Sequence, residues 1–259
     1  MLFDADITHV VADTLQTHYA HSIMPALVCD PVCVSTTGHE LLHPQAIEVM
    51  IQELFPLAAL ITPNKSEAEL LLSLRDLPCK ITGLDDMLVA AKNLTLFGPP
   101  AVLLKGGHIT VTIEDVKRVS RNHTRISFVD DGILSENMEI LKIAEQDPSN
   151  LQLVVDVLHQ RDDQTTLFLR PRIDSTSTHG TGCTLSAALA CGLGRGLSRL
   201  FSTAALFSLV VFIAFVTVSD AIKFATAYTH LGIETAFSVG KGSGPLNHLH
   251  SFVPCNIPP

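Results

Sequence analysis

The sequence predicts an α/β fold with a mostly parallel central sheet and helices on both faces. Short strand-like apolar runs alternate with segments of helical period. The runs are almost continuously apolar, as expected of strands covered on both faces. Several of them end on a polar residue, at the strand ends where open α/β sheets place their ligand crevice.

In chain order, Ile7–Ala20 reads as a helix with Ile7, Val10, Val11, Thr14 and Leu15 on one side. Strands are expected at Ala26–Asp30, Ala58–Thr62, Ala101–Lys105, Arg125–Asp130, Leu151–Val157 and Thr165–Arg170. Helical segments at Pro44–Leu54, Ser66–Leu74 and Leu84–Phe97 separate the first three. The more polar stretch Val116–Ser149 suits a surface hairpin or insertion, and Pro254–Pro259 an irregular tail. There is no internal repeat and no linker, so residues 1–253 are expected to form one domain.

Composition narrows the function classes. The chain has 259 residues and a formal charge of −9, with a mean hydropathy of +0.34. That hydropathy excludes a disordered or collagen-like chain. The acidic balance disfavours nucleic acid as a partner, although phosphorylated small molecules need only a few local donors. The six cysteines form no CxxC pair, and their scatter fits a reduced, cytoplasmic compartment rather than a disulfide scaffold. The N-terminus MLFDAD lacks the basic and apolar regions of a signal peptide.

Four positions carry chemistry. In Ser175–Ala188 a turn containing Gly180, Thr181 and Gly182 runs into an Ala- and Leu-rich helix, with Cys183 in its first turn. The glycines let backbone approach a ligand, and first-turn N–H groups favour an anion. A loop capped by Thr181, with Cys183 merely buried, fits the same letters. Neither GxxxxGK[ST] nor GxGxxG occurs. In Thr62-Pro63-Asn64-Lys65-Ser66-Glu67, Asn64 and Glu67 read either as a helix cap or as oxygen donors to Mg²⁺. Lys105-Gly106-Gly107-His108 ends an apolar strand with a cation suited to phosphate, and Asp30 ends another with a carboxylate. Both also fit ordinary strand ends.

Taken together, VCDPVCVSTTGHELL, LITPNKSEAELL, AVLLKGGH, RIDSTSTHGTGCTLSAALACGL, DAIKFATAYTHLGIE and GKGSGPLNHLH resemble the hydroxymethylpyrimidine/phosphomethylpyrimidine kinase family of thiamine biosynthesis, in its fungal form as in its bacterial one. The resemblance runs along nearly the whole chain. It implies a ribokinase-like fold lacking the family's first strands, a small pyrimidine substrate, ATP and Mg²⁺ as cofactors, and a homodimer. It also implies roles. Gly180, Thr181, Gly182 and Cys183 would face the transferring phosphoryl group, with Cys183 beside the attacking hydroxyl. Asp30, Asn64 and Glu67 would hold Mg²⁺. Lys105 and Lys223 would flank the nucleotide.

Two alternatives remain open: a pyridoxal-type kinase, which Asp at position 183 would have favoured, and a non-catalytic nucleotide-binding relic. The chain departs from the family pattern at Cys33, where Met is usual, and in the uncharged stretch Leu200–Ser219. Removing about residues 199–219 restores the family's turn-then-helix order. This favours intron-derived sequence over a buried helix or a membrane span, and no aromatic or basic flank supports the span.

Overall fold

The computed structural model describes residues 2–21, 25–34, 41–78, 80–107, 109–123, 126–130, 152–202, 217–237, 240 and 242–250. Six strands, β1 (Val28–Cys29), β2 (Leu60–Ile61), β3 (Ala101–Leu104), β4 (Ile126–Asp130), β5 (Leu153–Gln160) and β6 (Thr165–Pro171), form one sheet in the order β1-β2-β3-β5-β6-β4. All six lie within or overlap the expected runs. The sheet is mostly parallel, as expected, with β5 reversed among the described strands. β1, β2 and β3 are parallel, β5 runs antiparallel to both β3 and β6, and β4 is parallel to β6. The reversal comes from the tight Gln160–Gln164 turn, where Asp163 takes the left-handed conformation (φ 65°). That leaves no room for a crossover helix between β5 and β6.

Seven α-helices are described: α1 (Ala5–His21), α2 (Pro44–Val49), α3 (Lys65–Ser73), α4 (Leu84–Leu94), α5 (Ile113–Asn122), α6 (Thr181–Ser202) and α7 (Val218–Glu234). α2 is extended by a π-turn and a short 3₁₀ turn that together reach Leu57. α5 falls where a hairpin or insertion was expected. A Thr112–Asp115 capping box starts it, and Val116 and Val119 are buried beneath five charged residues. Of the expected stripe on α1, Val11 and Leu15 pack against the core beside the buried Thr8 and Ala12, while Ile7 and Val10 face solvent.

Alternation along the strands divides the core in two. Ile61, Val102, Leu104, Val155 and Val157 join the cluster under α1–α5. Leu60, Ala101, Leu103, Leu158 and Phe168 join a second cluster with Leu185, Leu189 and Leu193 of α6 and Ile222 and Ala225 of α7. Helices therefore cover both faces, as expected. Among the described residues no helix is long and apolar enough to cross a membrane. Residues 203–216 of the apolar stretch, and the 254–259 tail, lie outside them.

Candidate active site

β1, β2 and β3 end side by side, and the residues following them meet. Lys105 continues the odd-numbered face of β3, the face that carries Ala101 and Leu103 toward α6. Its Nζ donates to Asp30 Oδ1 at 2.8 Å and lies 3.9 Å from Glu67 Oε2. Lys105 and Asp30 are mostly buried and Glu67 is 2% exposed, so these charges act with little water between them. The Lys105 N–H donates to Pro63 O at 2.9 Å, tying the end of β3 to the segment after β2.

Asn64 and Glu67 form a full capping box at the start of α3. Glu67 N–H donates to Asn64 Oδ1 at 2.9 Å, and Asn64 N–H donates to Glu67 Oε2 at 2.7 Å. The capping reading of this motif holds: the box sets where α3 begins and also aims Glu67 at Lys105. Burial pushes the Glu67 carboxyl up to about 7. The charge of Asp30 adds to the rise, while Lys105 and the Asn64 N–H oppose it. Burial likewise raises the Cys29 and Cys33 thiols to about 12, so neither is a nucleophile near neutral pH.

The fourth side is the start of α6. Gly180 has φ +85°, where a side chain would be strained. A Cβ on Gly182 would sit 3.3 Å from Lys105 Nζ and 3.9 Å from Asp30 Oδ2, so glycine keeps the helix start open to the charged cluster. Thr181 is not the cap. It is the first helical residue, and its hydroxyl donates to Thr178 O at 3.1 Å. Cys183, in the same turn, is exposed.

Two residues that sequence reasoning left unassigned complete the link. The Thr62 hydroxyl donates to Asp30 Oδ1 at 3.0 Å and lies 3.2 Å from Ser186 Oγ; Ser186 Oγ in turn donates to Gly182 O at 3.0 Å. Lys223 stands apart. It lies on α7 a turn after Asp220, and among the described residues no hydrogen bond or ion pair joins it to the cluster.

Among the described residues no group of three or more His, Cys, Asp or Glu could hold a metal. Asp30 and Glu67 both face Lys105 Nζ, a pair of carboxylates of the number Mg²⁺ takes when water and phosphate oxygens complete its shell. Asn64 Oδ1 is engaged in the cap.

A doubly covered α/β sheet thus brings a lysine, two carboxylates and a glycine-lined helix start together at one end. Comparison with known proteins identifies the family. The sequence model of the phosphomethylpyrimidine kinase family matches residues 1–139 and 133–205. The chain belongs to that family. It is 31% identical to a hydroxymethylpyrimidine/phosphomethylpyrimidine kinase of Rhizobium meliloti over 228 residues, covering 86% of the chain and 60% of the relative. It is 32% identical to the Salmonella typhimurium kinase of the same name, covering 97% and 70%. The chain thus spans less than two thirds of the Rhizobium relative's length. In the fold, a Bacillus subtilis pyridoxal kinase in an ADP complex aligns with a TM-score of 0.64 at 23% identity, covering 97% of this chain and 68% of that one. A Staphylococcus aureus pyridoxal kinase bound to AMP-PCP aligns at 0.62 and 21%, covering 96% and 65%.

Proposed function

We propose that the chain carries out ATP-dependent phosphorylation of 4-amino-5-hydroxymethyl-2-methylpyrimidine and of its monophosphate. One observation carries the reading: Lys105, Asp30 and Glu67 converge on the open first turn of α6, with Gly182 beside Lys105. Catalysis of phosphoryl transfer consists largely of positioning and charge stabilisation, and this cluster supplies both.

In this reading the N–H groups of Gly182 and Cys183, which lack intrahelical partners, face the transferring phosphoryl oxygens. The exposed Cys183 takes the proton from the attacking substrate hydroxyl. Lys105 offsets the phosphate charge of the nucleotide. Asp30 and Glu67 would hold Mg²⁺, Asn64 serving by fixing Glu67; the ion, when bound, neutralises charge on the phosphate oxygens. Lys223 flanks the nucleotide from α7. The reading also carries the cytoplasmic placement and the homodimer that family resemblance implies, the latter checked by light scattering.

The test is ADP formation by the purified chain with MgATP and either the hydroxymethylpyrimidine or pyridoxal. Turnover of the pyrimidine, lost in Lys105→Met, supports the proposal. Preference for pyridoxal would assign the alternative kinase activity. ATP binding without turnover of either would identify a nucleotide-binding relic.

A further inference from the structure

A charged residue lies within the apolar strand β5, outside the cluster described above. Asp156 is 1% exposed, flanked by the fully buried Val155 and Val157. The β3–β5 register runs from Ala101 opposite Gln160 to Leu104 opposite Val157. Continued by two steps, it would place Lys105 opposite Asp156 and Gly106 opposite Val155. The ladder does not continue there. Gly106 N–H donates to the Asp156 carboxylate, Oδ1, at 2.8 Å. A Cβ on Gly106 would run into the Val155 carbonyl oxygen, so the main chain at Gly106 presses directly on β5. The second Asp156 oxygen lies 2.6 Å from Arg170 Nη2 on β6, which offsets its charge.

We propose that Asp156 is a positioning residue for Lys105. It takes over the strand hydrogen bond at the point where β3 leaves the sheet, and so sets the direction in which the lysine departs. Lys105 is then held on two sides, by its own N–H on Pro63 O and by the next N–H on Asp156. Its short reach to Asp30 depends on both. A neutral acceptor could receive the Gly106 N–H, but only an anion also offsets the Arg170 charge. The inference deepens the kinase reading, since Lys105 belongs to the same site, but its measurement is blind to turnover and stands or falls separately.

The experiment is competitive acylation of lysines in the intact chain, read by mass spectrometry, in the wild type, Asp156→Asn and Asp156→Ala. Lys92 and Lys117, well exposed on the surface, serve as internal standards. In both variants Lys105 labelling relative to the standards is expected to rise by about tenfold as local opening becomes easier, with far-ultraviolet circular dichroism unchanged. Unchanged Lys105 labelling in a folded variant overturns the proposal. So does an equal rise at all three lysines, or loss of the fold in both variants, since each assigns Asp156 a purely structural role.

Discussion

The Thr62 hydroxyl, fully buried after β2, meets the Ser186 hydroxyl of α6 at 3.2 Å and also donates to Asp30. Through this pair the acidic side of the site is fastened to the helix that presents the glycine turn. Thr62→Val keeps the shape and removes the hydroxyl, leaving buried acceptors short of a donor. We expect a loss of about 1–3 kcal/mol in urea unfolding, with Thr62→Ser losing less. A double-mutant cycle with Ser186→Ala should show non-additivity; strictly additive losses would mean the two hydroxyls are not coupled.

Adjacent glycines should respond differently to the same change. Gly106→Ala forces a methyl into the Val155 carbonyl, and the rigid main chain must give way. We expect about 1–3 kcal/mol of destabilisation, or a drop in Tm of roughly 2–4 °C per kcal/mol for a chain of this size. Gly107→Ala meets nothing within 4 Å and should stay within about 0.5 kcal/mol of wild type. Equal melting temperatures for the two variants would contradict this geometry.

Cys183 should matter through chemistry rather than packing, because it is exposed. Cys183→Ala is expected to lower kcat by roughly tenfold or more with Tm nearly unchanged, on the scale of a lost general base. Thiol reagents should label Cys183 and the exposed Cys191 while sparing Cys29 and Cys33, and bound nucleotide with substrate should protect Cys183 alone. An unaltered kcat would remove Cys183 from the mechanism.

His230 gives the fold an acid-side weakness. Burial, reinforced by the Arg170 charge, lowers its pKa to about 4 from the ordinary 6.5. The unfolded chain therefore binds the proton more readily, and stability rises with pH between about 4 and 6.5 and is lost as pH falls through that window. The full contribution is on the order of 3 kcal/mol. His230→Gln should flatten the pH profile of chemical unfolding over this range and change little above pH 7. A profile identical to wild type would show that His230 is not the titrating group.

Much of the site was legible because each part has a local signature. An apolar run closing on Asp30 or Lys105 marks a strand end facing a crevice. The Asn64–Glu67 spacing marks a helix start, and Gly180 with Gly182 marks an open turn. Thr62 and Ser186 have no such mark, since a hydroxyl pair 124 residues apart in sequence exists only after folding. Asp156 did have one, a carboxylate inside Leu153–Leu158, where burying a charge demands a partner. α5 was missed because two inward valines are outnumbered by charged neighbours, and its capping box was the better guide. The strand reversal was missed because the short turn after Gln160 resembles any polar connection until the pairing is known.

That reversal also determines where this protein can change. Since β5 runs against β3, and β6 against β5, Asp130 at the end of β4 and Leu153 at the start of β5 both lie at the end of the sheet that carries Lys105. The connection between them therefore starts and finishes at the Lys105 end of the sheet. Residues added after Asp130 or before Leu153 would therefore enter at the charged end of the sheet and not at the opposite one.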